Sequence, residues 1–338
     1  MKKTTLLFSI LLSLLMLLQF HLFAQDENDN KNTHDNNSKK KYEFVKKKEY
    51  NKTYTVSSSE KLDIQNSFGS VEVHTWNKNE IKVDVNIEVT ANTDAYAQKI
   101  ADRINVSDSR SSNEISFKTT IKDINNSKDE KSTMEVNYTI SMPSSNPLHI
   151  KNEFGSTTIP DYQGEVDLTS KFGALTTGVL NHVKNIDVEF GKGIFQSISN
   201  GSVTVKYSKA EFSRLVGNIK MNLEFCGITK INMDNSLSDL DIRASYSSVN
   251  LRPQGDLPAT YTFLTSFGSL KNNTNIKFDN DNNNEDNGPK FDHKYNGRSG
   301  NGNINIRVNS NFGKIILGEP SPDDMKDKGK PKMKTKTV

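Results

Sequence analysis

Side chains that could do covalent or metal chemistry are few and scattered in the 338-residue chain. Of six histidines, His21 lies in the first 24 residues, and His34, His74, His149, His182 and His293 never form the His-Glu-x-x-His spacing of a zinc site. The single cysteine, Cys226, excludes an intrachain disulfide and any multi-cysteine metal or cluster site. Gly297-Arg298-Ser299-Gly300-Asn301 approaches a nucleophile elbow but lacks its last glycine. The Asn/Asp-rich segment 279–288 invites a calcium-loop alignment. Starting at Asp279, Asp281 and Asn283 fall on ligand positions, but Asn284 takes the glycine position and Lys290 that of the bidentate glutamate. Glycoside hydrolysis needs two carboxylates about 5–9 Å apart. Asp187 and Asp241 are outward-facing candidates on neighbouring repeats, yet no carboxylate cluster recurs at a fixed offset. The expectation is a protein without catalytic residues, cofactor or metal.

What does recur is an aromatic residue followed by a small one. The pairs are Phe68-Gly69, Phe154-Gly155, Phe172-Gly173, Phe190-Gly191, Tyr207-Ser208, Phe225-Cys226, Tyr246-Ser247, Phe267-Gly268 and Phe312-Gly313. Five consecutive copies from Phe154 are spaced 18, 18, 17 and 18 residues, and the next two steps are 21 each. Self-similarity at that period marks a repeat architecture. The position four before each aromatic is Ile64, Ile150, Leu168, Ile186, Val203, Met221, Ile242, Phe263 and Val308, apolar in all nine copies. Alternation leading into the aromatic is a strand with one buried face. After the pair the apolar positions move to odd offsets, as at Val71, Val73, Leu175, Phe212, Val249 and Leu317. A parity change means a turn or bulge, and glycine suits a corner because it takes φ > 0 and allows close backbone approach.

A unit of about 18–21 residues holding two or three short strands cannot bury its apolar face alone, whereas stacked units can. The expected fold is all-β, a β-solenoid of the right-handed, single-stranded β-helix kind, with the aromatics as a ladder filling its interior and Cys226 as corner filler. Residues 51–147 interrupt the period with alternating strands and one short helix near 93–104, and read as an N-terminal β-rich cap. Repeats then occupy 148–318, with a disordered insert near 279–300. Trp76 reads as packed at the cap edge.

Charge and tails set the expected compartment. Lysine and arginine total 44 against 41 acidic residues, a net +3, which is no footprint for nucleic acid. Residues 1–24 combine Lys2 and Lys3, an apolar stretch and a cut after Ala24, the pattern of an export signal. No later segment is long and apolar enough to span a membrane. Residues 25–50 read as a disordered, lysine-rich tether and 319–338 as a disordered basic tail that could touch an anionic surface. The expected location is extracytoplasmic.

The stretches LDIQNSFGSVEVHTWNKNEIKVDVNIEV (62–89) and YTISMPSSNPLHIKNEFGSTTI (138–159) resemble the exported, adhesin-like β-strand-repeat proteins of Bacteroidetes-type bacteria. Their shared pattern is strand, Asn-x-Phe-Gly turn, strand, then a tryptophan-containing turn before a long strand. The resemblance spans 61–318 and implies a single-stranded β-helix serving adhesion, envelope structure or binding of an envelope protein or glycan. It carries over no functional residues. The alternatives are a polysaccharide lyase or hydrolase on a parallel β-helix, and an envelope signalling accessory.

Overall fold

Each repeat becomes two short strands meeting at its aromatic-small pair, and like strands of successive repeats pair in parallel. The computed structural model describes residues 42–123, 129–280 and 291–322, and these are almost entirely β. The first ladder joins the strands that lead into the aromatics. It runs from β2 (Lys61–Ser67) through β8 (Leu148–Glu153), β10 (Tyr162–Lys171) and the second halves of β11 (Ala174–Glu189) and β12 (Lys192–Lys206). It continues through β14 (Leu215–Glu224), β16 (Leu237–Ser245), β22 (Ile304–Asn311) and β18 (Ala259–Ser266). The second ladder joins the strands that follow the corners: β3 (Val71–Thr75), β9 (Thr157–Ile159), the first halves of β11 and β12, and β13 (Lys209–Phe212). Then come β15 (Ile228–Met233), β17 (Ser248–Pro253), β23 (Lys314–Leu317) and β19 (Ser269–Asn272).

The last repeat in sequence is not last in space. Its strands β22 and β23 lie between β16 and β18 on one ladder and between β17 and β19 on the other. The rung made by 259–272 is thereby displaced outward by one place.

Both ladders are closed at the N-terminal end by the segment inserted between the first two repeats, together with the strand that precedes the first. β6 (Glu114–Ile121) extends the first ladder in parallel with β2, and β5 (Ile104–Arg110) pairs antiparallel to it. β7 (Ser132–Met142) extends the second, followed by antiparallel β4 (Glu80–Ala91) and β1 (Phe44–Thr55). α1 (Asp94–Ala101) starts at Thr93, whose hydroxyl accepts from the Tyr96 amide, and buries Tyr96, Ala97, Ile100 and Ala101. Lys48 of β1 donates to the Ala101 and Ile104 carbonyls at the helix C-terminus, where a cation also suits the dipole.

Three expectations are corrected. The tether assigned to 25–50 is a strand from Phe44 onward, paired with β4 along its whole length. Its run of three lysines does not prevent this, because Lys46 meets Asp94 at 2.8 Å, Lys47 meets Glu88 at 3.0 Å and Lys48 caps the helix. In the insert assigned to 279–300, β21 (Asp292–Arg298) pairs antiparallel with β18, so the disorder expected there does not extend over that part. Residues 281–290 lie outside the described residues, as do 1–41 and 323–338, with the export signal and most of the basic tail.

The third correction concerns the aromatics. All nine stand at the surface, between 36% and 54% exposed, rather than inside. The backbone explains it. Each aromatic itself adopts φ between 49° and 64°, and the glycine after it does not have positive φ. A residue in the left-handed region breaks the alternation, so the aromatic joins its predecessor in facing outward and the small residue turns in. Glycine is needed at these corners for close approach instead. A Cβ on Gly155 would lie 1.8 Å from the Gly69 carbonyl oxygen, and one on Gly173 or Gly191 would lie 1.9 Å from that of the preceding rung. Ser208 and Ser247 fit by turning their hydroxyls to accept from the Gly191 and Cys226 amides, each at 2.9 Å.

The interior is filled by the residue four before each ring and by larger side chains such as Tyr162, Phe195, Phe212, Tyr261 and Phe263, all buried. Phe195 and Phe212 stack within it at 4.8 Å. At the N-terminal corners the space is polar. Asn66 donates to the Val136 carbonyl at 2.9 Å and accepts from Thr119, while Asn152 donates to the Gly69 carbonyl at 3.0 Å, satisfying buried backbone acceptors.

Candidate functional site

The exposed rings form one continuous column. In spatial order it runs Phe68, Phe154, Phe172, Phe190, Tyr207, Phe225, Tyr246, Phe312, Phe267 and Phe291, with centroids 4.7–4.9 Å apart. The first nine rings lie within 8° of parallel to their neighbours, and Phe291 tilts by 21°. The steps equal the spacing of paired strands, so the column spans roughly 44 Å. Phe291 has no aromatic-small signature, and its place in the column was not legible in the sequence. The order of Phe312 and Phe267 is likewise set by the displaced rung.

Rings stacked this way cover one another's faces and present their edges to solvent. With about half of each ring's ~200 Å² exposed, the strip amounts to something on the order of 1000 Å². The largest apolar patch on a typical monomer is about 300–600 Å².

Beside the column, the residues just before the five rings from Phe154 to Phe225 alternate in charge: Glu153, Lys171, Glu189, Lys206 and Glu224. They stand side by side in register across β8, β10, β11, β12 and β14. Lys171 meets Glu189 at 2.9 Å and Lys206 meets Glu224 at 3.4 Å. The hydrogen bond to Glu189 holds the Lys171 ammonium above its ordinary value. This alternation was readable from the sequence once the ring positions were aligned. On the other side, two residues after the rings, stand Ser156, Lys192, Lys209, Ser269 and Lys314.

The remaining sequence candidates are not brought together. Asp187 accepts from Asn185 at 2.8 Å, and Asp241 lies 3.8 Å from Arg307. They stand three rungs apart, roughly 15 Å along the stack and in different side-chain rows, too far for a hydrolytic pair. Cys226 is buried with its sulfur 3.2 Å from the Val205 carbonyl, and burial pushes its thiol up. His149 pairs with Asp63, while His74 is paired with Glu72 at 3.2 Å. Trp76 donates to the Glu80 carbonyl at 2.8 Å under Lys78. Among the described residues, no three His, Cys, Asp or Glu side chains converge on a metal position. Nearly all of the segment aligned against a calcium loop falls outside them.

No family model matches the chain, and no curated protein does. Solved structures do. One is a candidate adhesin from Bacteroides fragilis, 14% identical over 80% of this chain and 97% of that one, with TM-score 0.38. A candidate lipid-binding protein from Parabacteroides distasonis is 9% identical over 80% and 97%, with TM-score 0.32. A candidate cell-adhesion protein from Clostridium sporogenes is 13% identical over 81% and 99%, with TM-score 0.25. At those values the likeness carries no argument about function, which rests on the column. Among the described residues no helix is long and apolar enough to cross a membrane.

Proposed function

We propose that the protein is an exported, non-enzymatic binding protein of the cell envelope or surface, adhesin-like in role, whose docking surface is the aromatic column. The observation that carries this is ten stacked rings left about half exposed along one edge. An apolar strip of that size marks an interaction site. Residues 1–24 support export, and the separation of Asp187 from Asp241 by three rungs supports binding over hydrolysis. The two parallel ladders support reading residues 148–318 as a β-solenoid of 18–21 residues per coil, capped by 44–147.

The column favours a protein partner over a glycan. A sugar ring stacks on an aromatic face, and here the faces are taken by neighbouring rings; the edges that remain suit another apolar edge. The test compares the wild type with Phe172→Ser/Tyr207→Ser/Tyr246→Ser, both immobilised and offered isolated envelopes of the producing bacterium. The wild type should retain envelopes, and the triple variant, still folded by denaturant titration, should lose at least tenfold. Equal retention, or turnover of an acidic or neutral polysaccharide by the wild type, overturns the reading.

A further inference from the structure

The partner can be named from the charge order beside the rings. We propose that the column docks against the column of a second copy of this chain, antiparallel, about a two-fold axis passing between Tyr207 and Phe225. This rests on the reading of the column as a docking surface and adds its occupant.

The first argument is area. About 1000 Å² on each copy meets the ~800 Å² per partner of a standard stable interface, and a two-fold arrangement pairs the same patch with itself. The second is charge. In an antiparallel pairing, the row just before the rings meets the same row of the partner. Because Glu and Lys alternate strictly from Glu153 to Glu224, an axis centred on a ring sets like against like, whereas an axis between rings sets Glu against Lys. Of the latter positions, the axis between Tyr207 and Phe225 alone overlaps all ten rings, since five lie on either side of it. Lys206 then faces the partner's Glu224, twice by symmetry. In the opposite row, Lys209 faces the glycine two residues past the partner's Phe225, and Lys192 faces the partner's Ser248, so no like charges meet. Moving the axis one rung toward Phe190 brings Lys192 against the partner's Lys209. A parallel pairing would also set Lys206 opposite the partner's Lys209. Complementarity of this kind fixes register as well as partner.

The axis also sets Ser156 opposite the partner's Ser269. Both are exposed, and within one chain they stand seven rungs apart, roughly 34 Å along the column, beyond the reach of a short linker. The wild type should sediment as a dimer across the micromolar range. A mixture of Ser156→Cys and Ser269→Cys chains, treated with a bis-maleimide spanning roughly 10 Å, the separation of packed β faces, should give a crosslinked mixed dimer. Neither variant alone should crosslink. Lys206→Glu should weaken the dimer at least tenfold, and Lys206→Glu/Glu224→Lys should restore it to within about threefold. A monomer throughout that range, crosslinking of either variant alone, or no rescue by the exchanged pair overturns the proposal. A monomer that still loses envelope retention in the triple serine variant would leave the docking surface standing and reject only the second copy; a monomer with unchanged retention would reject both.

Discussion

Two phenylalanines five residues apart separate a surface column from a core one. Phe195 is wholly buried and stacked on Phe212, whereas Phe190 is 48% exposed between Phe172 and Tyr207. Phe195→Ala removes a full ring from a close-packed interior and leaves a cavity beside Gly193, whose missing Cβ would otherwise sit 2.5 Å from that ring. The expected loss is about 3–5 kcal/mol. Phe190→Ala gives up only half as much area, worth about 1–1.5 kcal/mol. Two stacking contacts are lost with it, each adding at most ~0.5–1 kcal/mol because solvent closes over the gap. The left-handed backbone is retained by alanine as by phenylalanine, so conformational strain nearly cancels. The sum is at most about 2–3.5 kcal/mol. Guanidinium titration reads both, provided the slope is unchanged so that the midpoint reports stability alone. If Phe190→Ala costs as much as Phe195→Ala, the column is core and the docking argument fails with it.

Gly173→Ala should destabilise by more than 3 kcal/mol or prevent folding, since its Cβ would meet the Gly155 carbonyl oxygen at 1.9 Å. Gly227→Ala, with open space around it, should fall within about 0.5 kcal/mol of the wild type in the same titration. The His149–Asp63 pair makes stability depend on pH. The bond to Asp63 raises His149, so its contribution is complete below the ordinary histidine value of 6.5 and fades as pH rises through the higher folded value. Burial pushes Asp63 up, but the bond and charge of His149 outweigh it and the net shift is downward. Its contribution is therefore present above 3.8 and fades as pH falls through the lower folded value. Thermal melts should show the gap between wild type and His149→Gln widest between those limits and shrinking above pH 7; a gap that stays constant to pH 9 refutes the assignment.

The rungs themselves were legible because one position, four before each ring, is apolar in every copy and becomes a buried row from Ile64 to Val308. The side of the aromatic was not. The buried set passes from even offsets to odd ones, and that change can be made either at the aromatic or at the residue after it. Glycine has the reputation for positive φ, so the sequence points to it for the turn; in the structure the aromatic takes that conformation and the glycine is held by the carbonyl of the preceding rung. The polar or charged residue before each of the nine rings was the available clue, since in these corners both it and the ring face outward. The three consecutive lysines at 46–48 read as a solvated run because their partners, among them Asp94 and the end of α1, lie far along the chain. The position of Phe312 inside the column had no signal at all, as every ring there is interchangeable with its neighbours.

That exchanged rung decides what residues 304–317 are worth to the stack. In a simple stack the last-made coil is the outermost, and cutting it away removes one layer and exposes the next. Here residues 304–317 form a wedge: among the described residues, β18 and β19 pair with the body of the stack only through them. A chain terminated before residue 304 would lose its final coil and also cast loose the one before it, together with the hairpin made by β21 on β18. Residues 304–317 therefore act as a keystone, placed in the chain after the piece they secure, and the native order of layers is reached only once they have been made.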